Sequence, residues 1–302
     1  PTVPIVIAIL TVLFIIQQFG TSLVGKAFGP IMFIWFGMMA VLGIVFVLQY
    51  PAILHSINPY YAYKILVSSP SAFLILGAVF LCTTGAEALY SDLGHCGRSN
   101  IQISWIYVKI CLLLNYMGQG VWLLQHQGTT LNGDNPFFQI MPSWFLIPGI
   151  AIATIAAIIA SQALISGSFT LIAEAVRLNL WPKVRINYPS DQKGQLYVPS
   201  INWLLWLGCL VVVFIFQEST KMEAAYGLSI TLAMLMTTIL LSVYLLRKKV
   251  PSYLVIIFLT VYLIIELTFL TGNLAKIMHG GWFTIVLGSI LFSVMWAWSS
   301  AR

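Results

Sequence analysis

The sequence predicts an all-α bundle whose helices cross a lipid bilayer about nine times. Three observations predict it. Of 302 residues, 60% are hydrophobic and only 7% carry a formal charge, against roughly a quarter charged in soluble domains. The apolar residues come in blocks of about 16–23, which span a hydrocarbon core of roughly 30 Å at 1.5 Å per residue. A transmembrane β-barrel would instead show alternating segments of about 10 residues. The placement of positive charge, taken up below, is the third.

The blocks run approximately 4–20, 29–49, 71–92, 103–124, 145–170, 201–216, 224–246, 252–271 and 281–299. Turn residues separate them: Gly25 to Pro30, Asn58-Pro59, Asn132 to Pro136, Pro182, Pro189, Pro199 and Gly280-Gly281. The first block lacks the charged flank and cleavage site of a signal peptide. Ten Trp, thirteen Tyr and eighteen Phe suit a protein with two membrane interfaces. The net charge of +6 is no nucleic-acid signal, because Lys and Arg sit in loops rather than on one amphipathic face. Cys82, Cys96, Cys111 and Cys209 show no CxxC spacing and are expected as small buried hydrophobes.

One alternate set of loops and ends carries Lys26, Arg98, Arg177, Lys183, Arg185, Lys193, Arg247, Lys248, Lys249 and Arg302. The opposite set carries only Lys64, Lys221 and Lys276. Positive charge accumulates on the cytoplasmic side, so residues 21–28, 93–102, 171–200, 247–251 and the C-terminus are expected there. With nine crossings Pro1 then lies outside, where the first helix starts abruptly, and the chain is expected to be a piece of a longer protein.

Ionisable groups inside spans cost about 2.5–3.5 kcal/mol each on insertion scales, and Glu87, Lys109 and Glu266 stand out. On a helix Thr83 and Thr84 precede Glu87 by four and three residues, and Tyr90 and Ser91 follow one turn later. Such a stripe of hydroxyls with one carboxylate suits a hard cation better than a transition metal. Gly85 within it allows local unwinding, as in the binding helices of secondary transporters. The plainer alternative is a protonated Glu87 hydrogen-bonded to a neighbouring helix. Glu266 reads equally as a functional carboxylate or as part of a structural hydrogen bond. Lys109 can snorkel to the interface or pair with an acid.

In the fifth block Gly149, Ala153, Ala156, Ala157, Ala160 and Gly167 form a smooth face for close helix contact. Ser161, Gln162, Ser166 and Ser168, like Asn115, Tyr116 and Gln119, read first as interhelical packing. Nucleophile–base constellations, HExxH pairs and GxxxxGK[ST] loops are absent from the 302 residues, so no enzyme is expected.

Ordered motifs over essentially the whole chain resemble the KUP/HAK/KT family of potassium uptake permeases. They are Thr84-Gly85-Ala86-Glu87-Ala88-Leu89-Tyr90-Ser91-Asp92-Leu93-Gly94-His95, Asn115-Tyr116-Met117-Gly118-Gln119-Gly120 and Asn135-Pro136-Phe137-Phe138. Further along come Ala160 to Gly167, Gly194 to Pro199, Ala225-Tyr226-Gly227 and Lys276 to Phe283. The resemblance implies the inverted-repeat, LeuT-like transporter fold of the amino acid–polyamine–organocation superfamily. Twelve membrane helices are then expected, of which this single transporter domain, residues 1–302, would be the last nine. The family's first-helix Gly-Asp-Ile-Gly-Thr-Ser-Pro-Leu-Tyr motif is not in this sequence, nor is the cytosolic C-terminal region of many members. The chain alone would therefore lack half of the ion site.

The function so implied is potassium uptake, coupled to protons, by a symporter of alternating access in the bacterial inner membrane. By motif, Thr84 matches a potassium-contacting hydroxyl, with Thr83 and Tyr90 as further candidate potassium ligands. Glu87 matches the family's key carboxylate, and Glu266 falls where the family has an acid before Leu-Thr-Phe. No cofactor is expected beyond the transported ion and its proton. Expected partners are potassium and the bilayer, not nucleic acid, with room for a homodimer through regions outside these residues. The rival readings are an amino-acid or polyamine permease of the same fold and a passive cation channel.

Overall fold

A computed structural model describes residues 2–19, 22–82, 84–85, 98–131, 133–188 and 196–301. Eleven α-helices are described: α1 Thr2–Ile16, α2 Ser22–Gln49, α3 Pro59–Ser68, α4 Ala72–Leu81, α5 Arg98–Gln125, α6 Pro136–Gln139, α7 Leu146–Arg177, α8 Pro199–Phe216, α9 Ser219–Arg247, α10 Ser252–Leu274 and α11 Gly281–Ser300. Seven of them (α2, α5 and α7 to α11) are long and apolar enough to cross a membrane, among the described residues. The protein is an all-α, polytopic membrane protein.

The nine apolar blocks all contain a helix, but two are shorter than the sequence suggests. Helix α1 has 15 residues and continues in a 3₁₀ turn, Gln17–Phe19. Helix α4 has 10 residues, about 15 Å of rise, or half a bilayer. Conversely, α7 runs 32 residues to Arg177, past the hydrocarbon width, so part of the expected loop after residue 170 is helix. The stretch 50–70 was expected as a connection and is mostly helical, as a 3₁₀ helix Pro51–Ile57 followed by α3.

Asn58-Pro59 marks a helix start there rather than a turn. The Asn58 side chain accepts the Tyr60 amide at 3.0 Å and Pro59 needs no amide partner at the first helical position. Asn135-Pro136 repeats the device at α6, where Asn135 accepts the Phe137 amide at 3.0 Å.

Polarity is distributed as lipid demands. Large apolar side chains face outward along the spans, among them Leu48, Ile103, Ile147, Leu171 and Leu240. Among the described residues the interior holds amides, hydroxyls and one carboxyl: Gln17, Asn115, Gln162, Asn202, Thr231, Thr238, Ser242, Glu266 and Asn273. Lipid tails offer no hydrophobic drive between helices, so polar groups and small residues hold them together. Gln17 and Gln162 exchange two amide hydrogen bonds between the end of α1 and α7, Gln162 donating at 2.9 Å. Asn202 on α8 donates to the Phe14 carbonyl at 3.0 Å. Phe14, Ile165, Phe169, Tyr197, Val198 and Ile201 pack around them.

The tightest crossing joins α2 to α5. A Cβ on Gly43 would lie 2.2 Å from the Leu114 carbonyl oxygen, and one on Gly118 2.6 Å from the Gly43 Cα. Two backbones touch, and neither can yield by turning a side chain. Gly43→Ala is therefore expected to cost about 1–3 kcal/mol. The check is thermal melting and the monodisperse fraction of the detergent-solubilised protein, with Gly29→Ala, where a Cβ meets nothing within 4 Å among the described residues, as comparison.

The small-residue face expected on α7 is covered only in part. Gly149, Ala156 and Gly167 are buried, whereas Ala157 and Ala160 are exposed. Cys82, expected buried, is exposed because it lies just past the end of α4; Cys111 is buried and Cys209 half-buried. Cys96 lies outside the described residues. Lys109 sits with its Nζ 4.9 Å from the Trp105 ring centroid, a cation–π contact of interfacial type.

Candidate functional site

Helix α4 lies on α10, with its far end against α9. The approach again runs through glycine: a Cβ on Gly77 would lie 3.2 Å from the Gly272 carbonyl carbon. One turn on, Phe80 stacks obliquely on Phe269, ring centroids 4.9 Å apart. Leu81 reaches Gly227 of α9, whose hypothetical Cβ would be 3.7 Å from the Leu81 Cδ2.

There α4 stops. The Cys82 amide bonds back to the Val79 carbonyl at 3.0 Å, a tightened last turn. Thr84 Oγ1 donates to the Leu81 carbonyl at 2.8 Å, satisfying an acceptor that the ended helix leaves open. Gly85 takes φ +110°, which no α-helix contains. The unwinding anticipated at Gly85 is present, so the helical spacing from Thr84 does not run through it. Thr83, Glu87 and Tyr90 lie outside the described residues.

The helix that α4 packs against, α10, carries a buried carboxyl. Gly77 meets Gly272 and Phe80 meets Phe269, an antiparallel register. Glu266 is 2% exposed. Its Oε1 accepts a hydrogen bond of 2.6 Å from Thr238 Oγ1 on α9. Its Oε2 is buried and has no hydrogen-bond partner among the described residues. Leaving such an atom unpaired costs free energy in any protonation state, since an anion lacks a donor and an acid lacks an acceptor.

The other polar residues flagged in the sequence do different work. Asn115 donates to the Met39 carbonyl at 3.3 Å and accepts from Gln119 at 2.5 Å, tying α5 to α2. Gln162 joins α7 to the end of α1, and Ser166 and Ser168 donate to carbonyls four residues back at 3.0 and 2.9 Å. Tyr116 faces the Cys82 thiol beside the break. Thr238 was not singled out by sequence reasoning. Its only signal was its seven-residue spacing from Thr231, matching that of Glu266 from Asn273.

An apolar exterior and an interior of amides and hydroxyls with a buried carboxyl define a multi-pass helical membrane protein with a polar interior. The chain belongs to the K+ potassium transporter family, whose integral membrane domain it matches over residues 1–302. That is a family of transporters, not enzymes.

It is 60% identical over 306 residues to the "Probable potassium transport system protein Kup" of Flavobacterium psychrophilum, covering all of this chain and 47% of that protein. Identity to the protein of the same name from Cytophaga hutchinsonii is 59% over 308 residues, covering 100% and 47%. For the "Probable potassium transport system protein Kup 1" of Lactococcus lactis subsp. cremoris SK11 it is 51% over 301 residues, covering 99% and 45%. The chain thus spans about half the length of these curated relatives. No solved structure matches it.

Proposed function

We propose that the protein imports potassium by proton-coupled secondary transport, with alternating access between two inverted repeats, in a bacterial inner membrane with its C-terminus cytoplasmic. The family and the names of its relatives support potassium as the substrate. The observation that carries the site is the helix break at Thr84 and Gly85, just past a helix packed on α10, which bears the buried carboxyl of Glu266. Thr84 is taken as a potassium ligand together with Thr83 and Tyr90. Glu87 and Glu266 are taken as the carboxylates that link uptake to protons. A broken helix suits this task because its freed backbone groups and hydroxyls replace hydration water around an ion.

Coupling gives a clear energetic advantage. A potential of 100 mV supplies about 2.3 kcal/mol per charge, and each tenfold accumulation of potassium costs about 1.4 kcal/mol. One charge alone sustains roughly a 50-fold gradient. A proton moving with the potassium doubles the electrical driving force and roughly squares that limit.

The test is rubidium uptake in cells lacking other potassium uptake systems, with the protein expressed from its complete gene. The wild type is expected to restore uptake that rises as external pH falls. Glu87→Gln is expected to insert normally and to lose that pH dependence. Unchanged pH-dependent uptake by Glu87→Gln would refute the coupling role. Currents that reverse at the potassium equilibrium potential and ignore the proton gradient would show a channel, and competition by organic cations or amino acids would show a permease.

A further inference from the structure

We infer that Thr238 is a positioning residue for transport, holding Glu266 by one oxygen so that the other stays free inside the bundle; this rests on Glu266 being one of the working carboxylates. The geometry sets Thr238 apart from its neighbours. Helices α9 and α10 run antiparallel and share two buried polar rungs, Thr231 with Asn273 and Thr238 with Glu266. Each rung is seven residues from the next on both helices, so both lie along one seam.

The first rung is closed. Asn273 Nδ2 donates to Thr231 Oγ1 at 2.9 Å and to the Phe269 carbonyl at 3.1 Å. Thr231 in turn donates to the Gly227 carbonyl at 2.7 Å.

The second rung is built differently. A threonine or serine within a membrane helix satisfies its hydroxyl locally, by donating to the carbonyl four residues back. Thr231 does so, as do Thr237 to Ala233 at 2.8 Å and Ser242 to Thr238 at 2.8 Å, all on α9. Thr238 instead gives its proton across the interface to Glu266 Oε1 at 2.6 Å. The bond fixes the carboxyl rotamer, and Oε2 is left buried with no partner among the described residues. A rung built for adhesion would use both oxygens, as an amide in the first rung uses both donor hydrogens. A rung that spends one oxygen on a fixed anchor and keeps the other open is built to present an acceptor.

Among the described residues, the helices packed against Glu266 carry few other titratable groups. Between Glu223 and Arg247, α9 carries only Tyr226 and Tyr244, toward its two ends. Helix α10 itself adds Tyr253 and Tyr262. On α4 the described residues offer only Cys82, at its end.

The test is rubidium uptake against external pH by the protein expressed from its complete gene, normalised to the amount inserted in the membrane. Thr238→Val keeps the shape and removes the donor. It is expected to lower maximal rate over KM about tenfold, the loss of one charge-assisted hydrogen bond, and to displace the pH of half-maximal uptake by about one unit. Thr238→Ser restores the donor and is expected to return both to near wild type. Thr231→Val disturbs the first rung and is expected to change protein yield without displacing the pH profile. Should Thr238→Val fail to insert, Thr238→Ala carries the same test.

Wild-type uptake and pH profile in Thr238→Val, with Glu266→Gln inactive, would overturn the positioning role alone. Wild-type uptake in Glu266→Gln would remove the role of Glu266 and, with it, this proposal.

Discussion

Glu266→Leu is expected to insert, fold and melt no lower than the wild type while losing nearly all rubidium uptake. The two halves of this result have separate causes. Glu266 is buried with one oxygen unpartnered, a cost that stability alone would not retain. Replacing a buried polar group by a leucine of similar volume is often neutral or stabilising. Thr238 is not stranded by the change, because its hydroxyl can turn to the carbonyl four residues back, as Thr231 and Thr237 already do. Transport, by contrast, loses the only acidic group in the described part of this seam. A hydrogen bond to a charged group is worth about 1.5–3 kcal/mol, so about a 10- to 150-fold fall is expected from that contact alone. Glu266→Gln, which cannot ionise, should match the leucine variant in uptake. Melting in detergent and uptake in cells read the two halves independently. A variant that melts lower and transports normally would make Glu266 structural.

Gly85→Val is expected to insert in wild-type amounts and to lose uptake by one to two orders of magnitude. Among the described residues nothing lies within 4 Å of a Cβ at Gly85, so no clash with them accounts for the loss. The cause is conformational. At φ +110° a side chain suffers strain of about 1–3 kcal/mol, most severely when β-branched. The variant relieves that strain by moving residue 85 to a negative φ, which re-aims the chain after α4. Thr84 then loses the geometry in which its hydroxyl reaches the Leu81 carbonyl at 2.8 Å. Gly85→Ala should fall between the wild type and Gly85→Val. Equal uptake in all three would show that the break at Gly85 is not needed. Cysteine accessibility gives a second readout, since the exposed Cys82 thiol two residues before Thr84 should change its labelling rate with maleimide.

The fold was legible in the sequence because membrane solvation imposes simple one-dimensional rules. A block of about 20 apolar residues has few options in lipid other than a helix. The nine blocks therefore each contain one, although α2, α5, α7 and α9 run past one end of their blocks and α1 and α4 stop short of theirs. Reasoning failed where polarity did not discriminate. Helix α3 is too polar and aromatic to resemble a span, and its start at Asn58-Pro59 looks like a turn until the Asn58 side chain is seen accepting the Tyr60 amide. Gly43 and Gly118 read as ordinary glycines of apolar helices until the α2–α5 crossing places them backbone to backbone.

The site was legible in halves. Glu266 drew notice because a carboxyl in a span is costly, and Gly85 because glycine in a span invites unwinding. Thr238 drew none, since one threonine in an apolar helix looks like any other that bonds its own backbone. Life in a bilayer, the rough positions of the long helices and the family are legible in the chain alone, because hydropathy and motif order are one-dimensional properties. It took the folded bundle to show that α4 stops at Leu81 where it lies on α10, and that Thr238, 28 residues from Glu266, holds one oxygen of that carboxyl. Both depend on the antiparallel register of α4, α9 and α10, set by contacts between residues far apart in the chain, and no local pattern encodes that register.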